Sequence, residues 1–420
     1  MTLVIKADQL IDALGGSPLK DVAVVVEGEK ISRVGQAGEV QIPPEAILIQ
    51  AQTVMPGLID AHVHLGSSGE ANMELRRLKE SIGLSAFVSY ANAKKSLEAG
   101  FTSLRDAGGR QFVDVALRQA IDQGWLEGPR LKVCGQGICT TGSHGDGYLA
   151  PDITTMDGTS FFGLAIANSP DEVREAARIQ VKNGVDVVKI VATGGVLSHG
   201  DEVCAPQMTL EEMEAAFQVA RWAGKRTAAH AHGGEGLKIA ILAGVNSVEH
   251  GTFLTDEQVE LMLERGVYYV PTLAALHRIL QHGVEAGIPE YAVEKAKQAH
   301  EVHFQSFDLA LRAGVKIAMG TDAATPFNRH GENALELQLM VEAGMTPMEA
   351  IVATTRSGAE VLGLAGQVGT VEVGKLADLL VVAGDPLADI SVLQDKQKIE
   401  VVIRGGRIVM DRRGRNHDHA

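Results

Sequence analysis

Six times this chain passes from a glycine through a short run rich in Val, Ile and Thr to a single polar residue. Gly100 leads through FTSLR to Asp106, Gly184 through VDVV to Lys189, and Gly224 through KRTAA to His230. Gly244 leads through VNSVE to His250, Gly266 through VYYVP to Thr272, and Gly314 through VKIAMGT to Asp322. A glycine just past a helix supplies the left-handed residue that ends it, and β-branched runs of this length read as strands. Helix starts are marked as well: Ser169-Pro-Asp-Glu172, Thr346-Pro-Met-Glu349, Thr209-Leu-Glu-Glu212 and Thr255-Asp-Glu-Gln258 read as capping boxes. Strands alternating with helices give βαβ units and a parallel sheet. Residues 56–366 have the length of an α/β fold of the (β/α)8 TIM-barrel type.

The two ends differ from this middle. Residues 1–55 and 367–410 carry VAVVVEG, ISRVG, ADLLVVAG and EVVIRGGRIVM, with no amphipathic helix of useful length. Each end alone has too few strands to be stable. Together they are expected to form one small β-sandwich beside the barrel, because two separate flaps would leave hydrophobic strand edges exposed.

Composition narrows the partners. The net charge of −15 repels phosphate backbones, so nucleic acid is not an expected partner. No window reaches the ~20 apolar residues of a membrane span. Three cysteines, Cys134, Cys139 and Cys204, are an odd and sparse set, which fits a reducing compartment better than a disulfide framework. The first residues show no secretory signal, and a cytoplasmic homo-oligomer is expected. His417 and His419 sit in a polar tail and are expected to be solvated rather than ligating.

In a barrel of this kind chemistry collects at the C-terminal ends of the strands. Leu58-Ile59-Asp60-Ala61-His62-Val63-His64 places His62 and His64 on one strand face, a metal half-site. Lys189 lies inside the apolar run VDVVKIV. Burial there disfavours the ammonium form, and a neutral amine can react with carbon dioxide to give an anionic carbamate that bridges two cations. The alternative is a lysine that snorkels to solvent. His230, His250 and Asp322 close three further strands. Such N and O donors suit zinc, manganese or iron, with zinc the default.

Pro56-Gly57-Leu58-Ile59-Asp60-Ala61-His62-Val63-His64 resembles the opening signature of the amidohydrolase superfamily, and Lys189, His230, His250 and Asp322 follow in its order. The resemblance implies two divalent metal ions: one on His62, His64 and Asp322, the other on His230 and His250. Carboxylated Lys189 and a hydroxide would bridge them. Finer motifs resemble the prolidase-like and Xaa-Arg(Lys) carboxypeptidase-like branch and ochratoxin-degrading amidases: His64-Leu65-Gly66-Ser67, Thr193-Gly194-Gly195-Val196, His230-Ala231-His232-Gly233 and His144-Gly145-Asp146-Gly147. Some members carry an aromatic where this chain has His232. The implied activity is metal-dependent hydrolysis of an amide in a dipeptide or N-acyl amino acid with a free C-terminal carboxylate.

Asp322 is the expected general base and acid. His232 is either a hydrogen-bond donor to the tetrahedral oxyanion or a packed neighbour of the ligands. His144, Ser67, Arg329 and His330 are candidate substrate contacts, Arg329 because a guanidinium binds carboxylates bidentately. Three rivals remain: a cyclic-amide hydrolase of imidazolonepropionase type, a deaminase, against which Lys189 speaks, and a non-catalytic scaffold, against which the filled ligand set speaks.

Overall fold

A computed structural model describes residues 2–147, 159–160 and 162–414; His417 and His419 lie outside the described residues. The N-terminal strands are β1 (Thr2–Leu10), β2 (Leu19–Glu27), β3 (Lys30–Gln36) and β4 (Ile47–Pro56). The barrel region holds β5 (Leu58–Val63), β6 (Phe101–Asp106), β7 (Arg130–Val133), β8 (Ile138–Cys139), β9 (Ala165–Ile166), β10 (Val187–Val191), β11 (Arg226–Gly233), β12 (Ser247–Phe253) and β13 (Tyr268–Val270). The chain returns through β14 (Leu379–Val382), β15 (Ile399–Arg404) and β16 (Arg407–Asp411).

All six glycines of the repeat take a left-handed φ, from 64° at Gly224 to 94° at Gly100 and Gly244. Reciprocal caps form at Thr209, Thr255 and Thr346. At Ser169 only half of the box forms: its hydroxyl accepts from Glu172 N at 3.3 Å, but the Glu172 carboxylate turns to the N–H of Asn168 at 2.7 Å.

The strands close into a (β/α)8 barrel in two arcs, β5-β6-β7 and β13-β12-β11-β10-β8, with β9 added to the edge of β8. The third barrel strand is divided: β7 pairs with β6, β8 pairs with β10, and Gly135 between them has φ 60°. Residues 316–323 take the eighth position without forming a regular ladder. Their first part bonds to β13 (Ala318 N to Tyr269 O, 2.9 Å) and their second to β5 (Ala61 N to Met319 O, 2.9 Å; Asp322 N to His62 O, 2.8 Å).

Both termini build one sheet of seven strands, in the order β16-β15-β14-β4-β1-β2-β3. The sandwich expected from the strand count is this single sheet curled upon itself. Ile31 N of β3 reaches Lys375 O at 2.9 Å, just ahead of β14, and one apolar cluster gathers Leu3, Val24, Ile31, Leu379, Val401 and Ile403. β4 runs into β5 through Gly57, where a Cβ would fall 2.1 Å from Thr102 Oγ1. Among the described residues no helix is long and apolar enough to cross a membrane.

Barrel closure depends on close approach at Gly320, where a Cβ would lie 2.4 Å from Val270 Cγ1 and 2.9 Å from His62 Cβ. Overpacking of a closed core costs roughly 1–3 kcal/mol. Gly320→Ala is therefore expected to lower the denaturant midpoint by that margin and to displace His62, and urea unfolding of the two proteins measures it.

Candidate metal centre

The polar ends of the barrel strands converge. His62 at the end of β5, with His64 just beyond it, meets Asp322 from the eighth position: Asp322 Oδ1 lies 3.5 Å from His62 Nε2 and 3.3 Å from His64 Nε2. His230, His232 and His250 from β11 and β12 form a second group, and within each group the donor atoms lie within 4.8 Å of one another. The ring centroids of His62 and His250 are 5.1 Å apart, so the two groups adjoin. Lys189, on β10, is 5% exposed and lines the same cavity as both groups.

Strand alternation should send neighbouring side chains to opposite faces. Glu249 nevertheless reaches His62 in the barrel interior while the next residue, His250, lines the cavity, and Thr321 bonds Asp60 while Asp322 lines the same cavity. His250 has φ 76° and Asp322 φ 56°. A left-handed residue at the strand end turns its side chain back toward the axis, and strain of this kind is characteristic of functional sites. Thr272 (φ 57°) continues the pattern and holds His250 Nδ1 at 2.8 Å.

Neighbouring groups fix each ring. Glu249 Oε2 accepts from His62 Nδ1 at 2.7 Å, which leaves Nε2 as the lone-pair nitrogen facing Asp322. The other Glu249 oxygen takes Arg105 Nη2 at 2.7 Å and Ser247 Oγ at 2.6 Å, and Arg105 Nε donates to the Ala61 carbonyl. His230 Nε2 donates to Gly194 O at 3.0 Å, so Nδ1 carries its lone pair. His232 Nδ1 is 2.8 Å from Thr252 Oγ1. Asp60 ties β5 to the eighth position, accepting from Thr321 Oγ1 at 2.6 Å and Asn333 Nδ2 at 2.7 Å.

The electrostatics suit ligation. Burial, reinforced by Lys189, holds His62 down at about 4. Burial and neighbouring histidines hold His230, His232 and His250 well below the ordinary range, so all present neutral nitrogens. Burial lowers Lys189 also. Burial alone would raise Asp322, but the hydrogen bond from His64 and the charges of His62, His64 and Lys189 prevail and leave it at about 2. Neutral imidazoles, an ionised carboxylate and a lysine of lowered basicity are a donor set for divalent cations.

His144 stacks on His230 with centroids 4.3 Å apart. Its Nδ1 is 2.7 Å from Ser198 Oγ, and that hydroxyl is 2.6 Å from Asp201 Oδ1. The serine gives its proton to the carboxylate, so His144 Nδ1 must be the donor to Ser198. Lys295 Nζ anchors the far end, bonding Asp201 Oδ1 at 2.8 Å and Ser198 O at 2.8 Å. The Thr193-Gly194-Gly195-Val196 motif has a steric reason: a Cβ on Gly195 would fall 2.3 Å from the His144 ring, and one on Gly194 2.1 Å from Glu202 O.

Of the residues singled out in the sequence, His62, His64, Lys189, His230, His232, His250, Asp322, His144 and Ser67 line one cavity of about 210 Å³. Arg329 and His330 do not. Arg329 is exposed, and His330 is turned beneath the site with Nε2 3.2 Å from the His64 carbonyl, which corrects the expectation of a carboxylate clamp there. Sequence reasoning missed Glu249, Arg105, Asp201 and Lys295, as well as Arg77 and Arg110 on the cavity wall.

A barrel with buried imidazoles and a carboxylate at its C-terminal mouth defines a class of metal-dependent hydrolases. The amidohydrolase family model matches residues 53–409, and the chain belongs to that family. Ochratoxinase of Aspergillus niger is 32% identical over 416 residues, covering 94% of this chain and 84% of its own. A crystal structure of a Xaa-Pro dipeptidase with bound methionine in the active site superposes with a TM-score of 0.88 at 37% identity, covering 97% of this chain and 99% of its own. A prolidase complexed with N-methylphosphonate-L-proline superposes with a TM-score of 0.91 at 31% identity, covering 98% of this chain and all (100%) of its own.

Glu249 orients His62 rather than ligating through it, and loss of such a partner typically weakens metal binding about 10- to 100-fold. Glu249→Gln should reduce affinity at the His62 group by that factor while the His230 group keeps its ion. Competition with a chromophoric chelator reads the two sites separately.

Proposed function

We propose that this chain is a two-metal amide hydrolase acting on dipeptides or N-acyl amino acids with a free carboxylate, with zinc as the metal. The observation that carries this reading is the pair of donor groups facing one cavity, with Lys189 on the same wall. His62, His64 and Asp322 would hold one ion and His230 and His250 the other. Lys189, its amine kept unprotonated by burial, would take up carbon dioxide; its N–C bond forms, a proton leaves, and the carbamate would supply the anionic bridge. Two such cations, when bound, acidify a water molecule and polarise the amide carbonyl.

The chain's own residues do the rest. Asp322 Oδ1 faces His62 and His64, so Oδ2 takes the proton of the attacking water and returns it to the leaving nitrogen. His144, held through Nδ1 by Ser198 and Asp201, presents Nε2 to the cavity beside His230. His232, stacked on His250 at 4.9 Å, would contact the tetrahedral oxyanion. The relatives include an ochratoxinase and a prolidase complexed with N-methylphosphonate-L-proline, whose proline part carries a carboxylate, and that kinship supports the substrate class.

A panel of dipeptides and N-acyl amino acids tests the reading: cleavage that a chelator abolishes and zinc restores is expected, and no cleavage by fully metal-loaded protein would contradict it. A metal bridge is worth several kcal/mol of transition-state stabilisation, so Lys189→Ala should lose about a hundredfold or more in kcat. Asp201→Asn breaks the hold on His144; a charged hydrogen bond contributes about 1.5–3 kcal/mol, or roughly ten- to a hundredfold in kcat/KM. Metal content should be unchanged in this variant, which separates a positioning role from a structural one.

A further inference from the structure

The cavity wall carries two guanidinium groups that no ligand or proton-transfer role uses. Arg77 ends the helix Met73–Arg77, in the connection after β5, and Arg110 opens the short turn Arg110–Phe112, after β6. Both line the cavity together with His62, His64 and Lys189. Among the described residues, neither has a carboxylate to itself. Arg77 Nη2 donates to the carbonyl of Phe162, and Arg110 Nη1 to the carbonyl of Glu80 at 3.1 Å. The nearby carboxylates, Glu70 and Glu80, are taken by Arg76, Glu80 at 2.6 Å. Arg77 Nε is buried with no hydrogen-bond partner among the described residues.

Both guanidinium groups are held in place. The Arg77 guanidinium lies 5.9 Å from the centroid of the Phe162 ring. Gly163 packs on Arg110, where a Cβ would be 2.8 Å from Arg110 Cγ, and the two residues after Arg110 are both left-handed, Gln111 at φ 48° and Phe112 at φ 59°. Burial, with Arg110 close by, depresses Arg77 to about 10. Two like charges brought together at a cavity wall, with a spare buried N–H, are stabilised by an anion that enters the cavity. A chain of net charge −15 has no general attraction for anions, so a local pair must supply it.

We propose that Arg77 and Arg110 form the clamp that binds the substrate carboxylate, in place of the clamp expected at Arg329. The identity of the anion as an amide-bearing carboxylate rests on the hydrolase reading above; the existence of the anion site does not. A planar carboxylate matches the fork of a guanidinium, and two forks from the connections after β5 and β6 fix the substrate's orientation against the metal ligands. The substrate class is then a small amide with an anionic group.

The test uses the zinc-loaded protein and its Arg77→Met and Arg110→Met variants, with the corresponding Lys variants retaining charge without the fork. Calorimetry measures binding of 3-phenylpropionate and of 3-phenylpropanol, and acetate release measures hydrolysis of N-acetyl-L-phenylalanine and its methyl ester. The Met variants are expected to bind 3-phenylpropionate about ten- to a hundredfold more weakly. The alcohol should distinguish them little, the acid-to-ester ratio of kcat/KM should fall by the same factor, and Lys should restore part of the loss. Unchanged affinity for 3-phenylpropionate in both Met variants, or no binding by the wild type, overturns the clamp whatever the hydrolysis assay gives. If the wild type cleaves ester and acid alike, the carboxylate-selective substrate reading fails, and the calorimetric comparison still decides the arginine pair.

Discussion

A carboxylate with no exposure to water sits inside the barrel, between a guanidinium and an imidazole. Glu249 receives Arg105 at 2.7 Å on one oxygen and His62 at 2.7 Å on the other. Arg105 and His62, which outweigh the cost of its burial, keep Glu249 ionised well below the ordinary carboxylate range. Removing one partner of such a group costs about 3–5 kcal/mol, because the other charge is left uncompensated. The three side chains come from β12, β6 and β5, so one network links three strands and sets the tautomer of the first metal-type histidine. The metal-binding capacity of the mouth and the integrity of the barrel interior are therefore coupled.

Above this network the site is made by departures from regular strand geometry. His250, Thr272 and Asp322 end their runs in the left-handed region and line the cavity. Strained positions of this kind cost roughly 1–3 kcal/mol each and persist only where surrounding bonds over-determine them. Those bonds are present: Thr272 on His250, Asp60 on Thr321 and Asn328 Nδ2 on the Asp322 carbonyl at 3.1 Å.

Much of this was legible in the sequence because it follows from backbone rules. Glycines such as Gly184 and Gly314 mark helix ends for steric reasons, and the residue that closes the following run falls at the barrel mouth. Lys189, His230, His250 and Asp322 were singled out that way, His62 and His64 by their spacing on one strand face, and the resemblance of their order pointed to the family; all six line one cavity. Arg105, Glu249, Asp201 and Lys295 were not legible. Arg105 and Glu249 lie within the same runs, but the contacts that join Arg105 to Ser247 and Glu249, and Glu249 to His62, span 142 to 187 positions, and nothing local announces a contact at that separation. Asp201 and Lys295 lie outside those runs, 94 positions apart. Arg329 failed for the converse reason: its residue type suited the role, but the turn after the eighth position exposes it. The terminal strands could be assigned to one domain because each set lacks partners alone, while their union in a single curled sheet depends on the β4–β14 pairing.

On the proposed reading, the strand-end side chains and carboxylated Lys189 form one two-metal site. Anomalous diffraction from crystals of zinc-loaded protein, measured on both sides of the metal absorption edge, tests it most directly. Two peaks are expected, one among His62, His64 and Asp322 and one against His230 and His250, with density extending the Lys189 amine between them. A single peak enclosed by His230, His232 and His250, with Lys189 an unmodified amine, would contradict it.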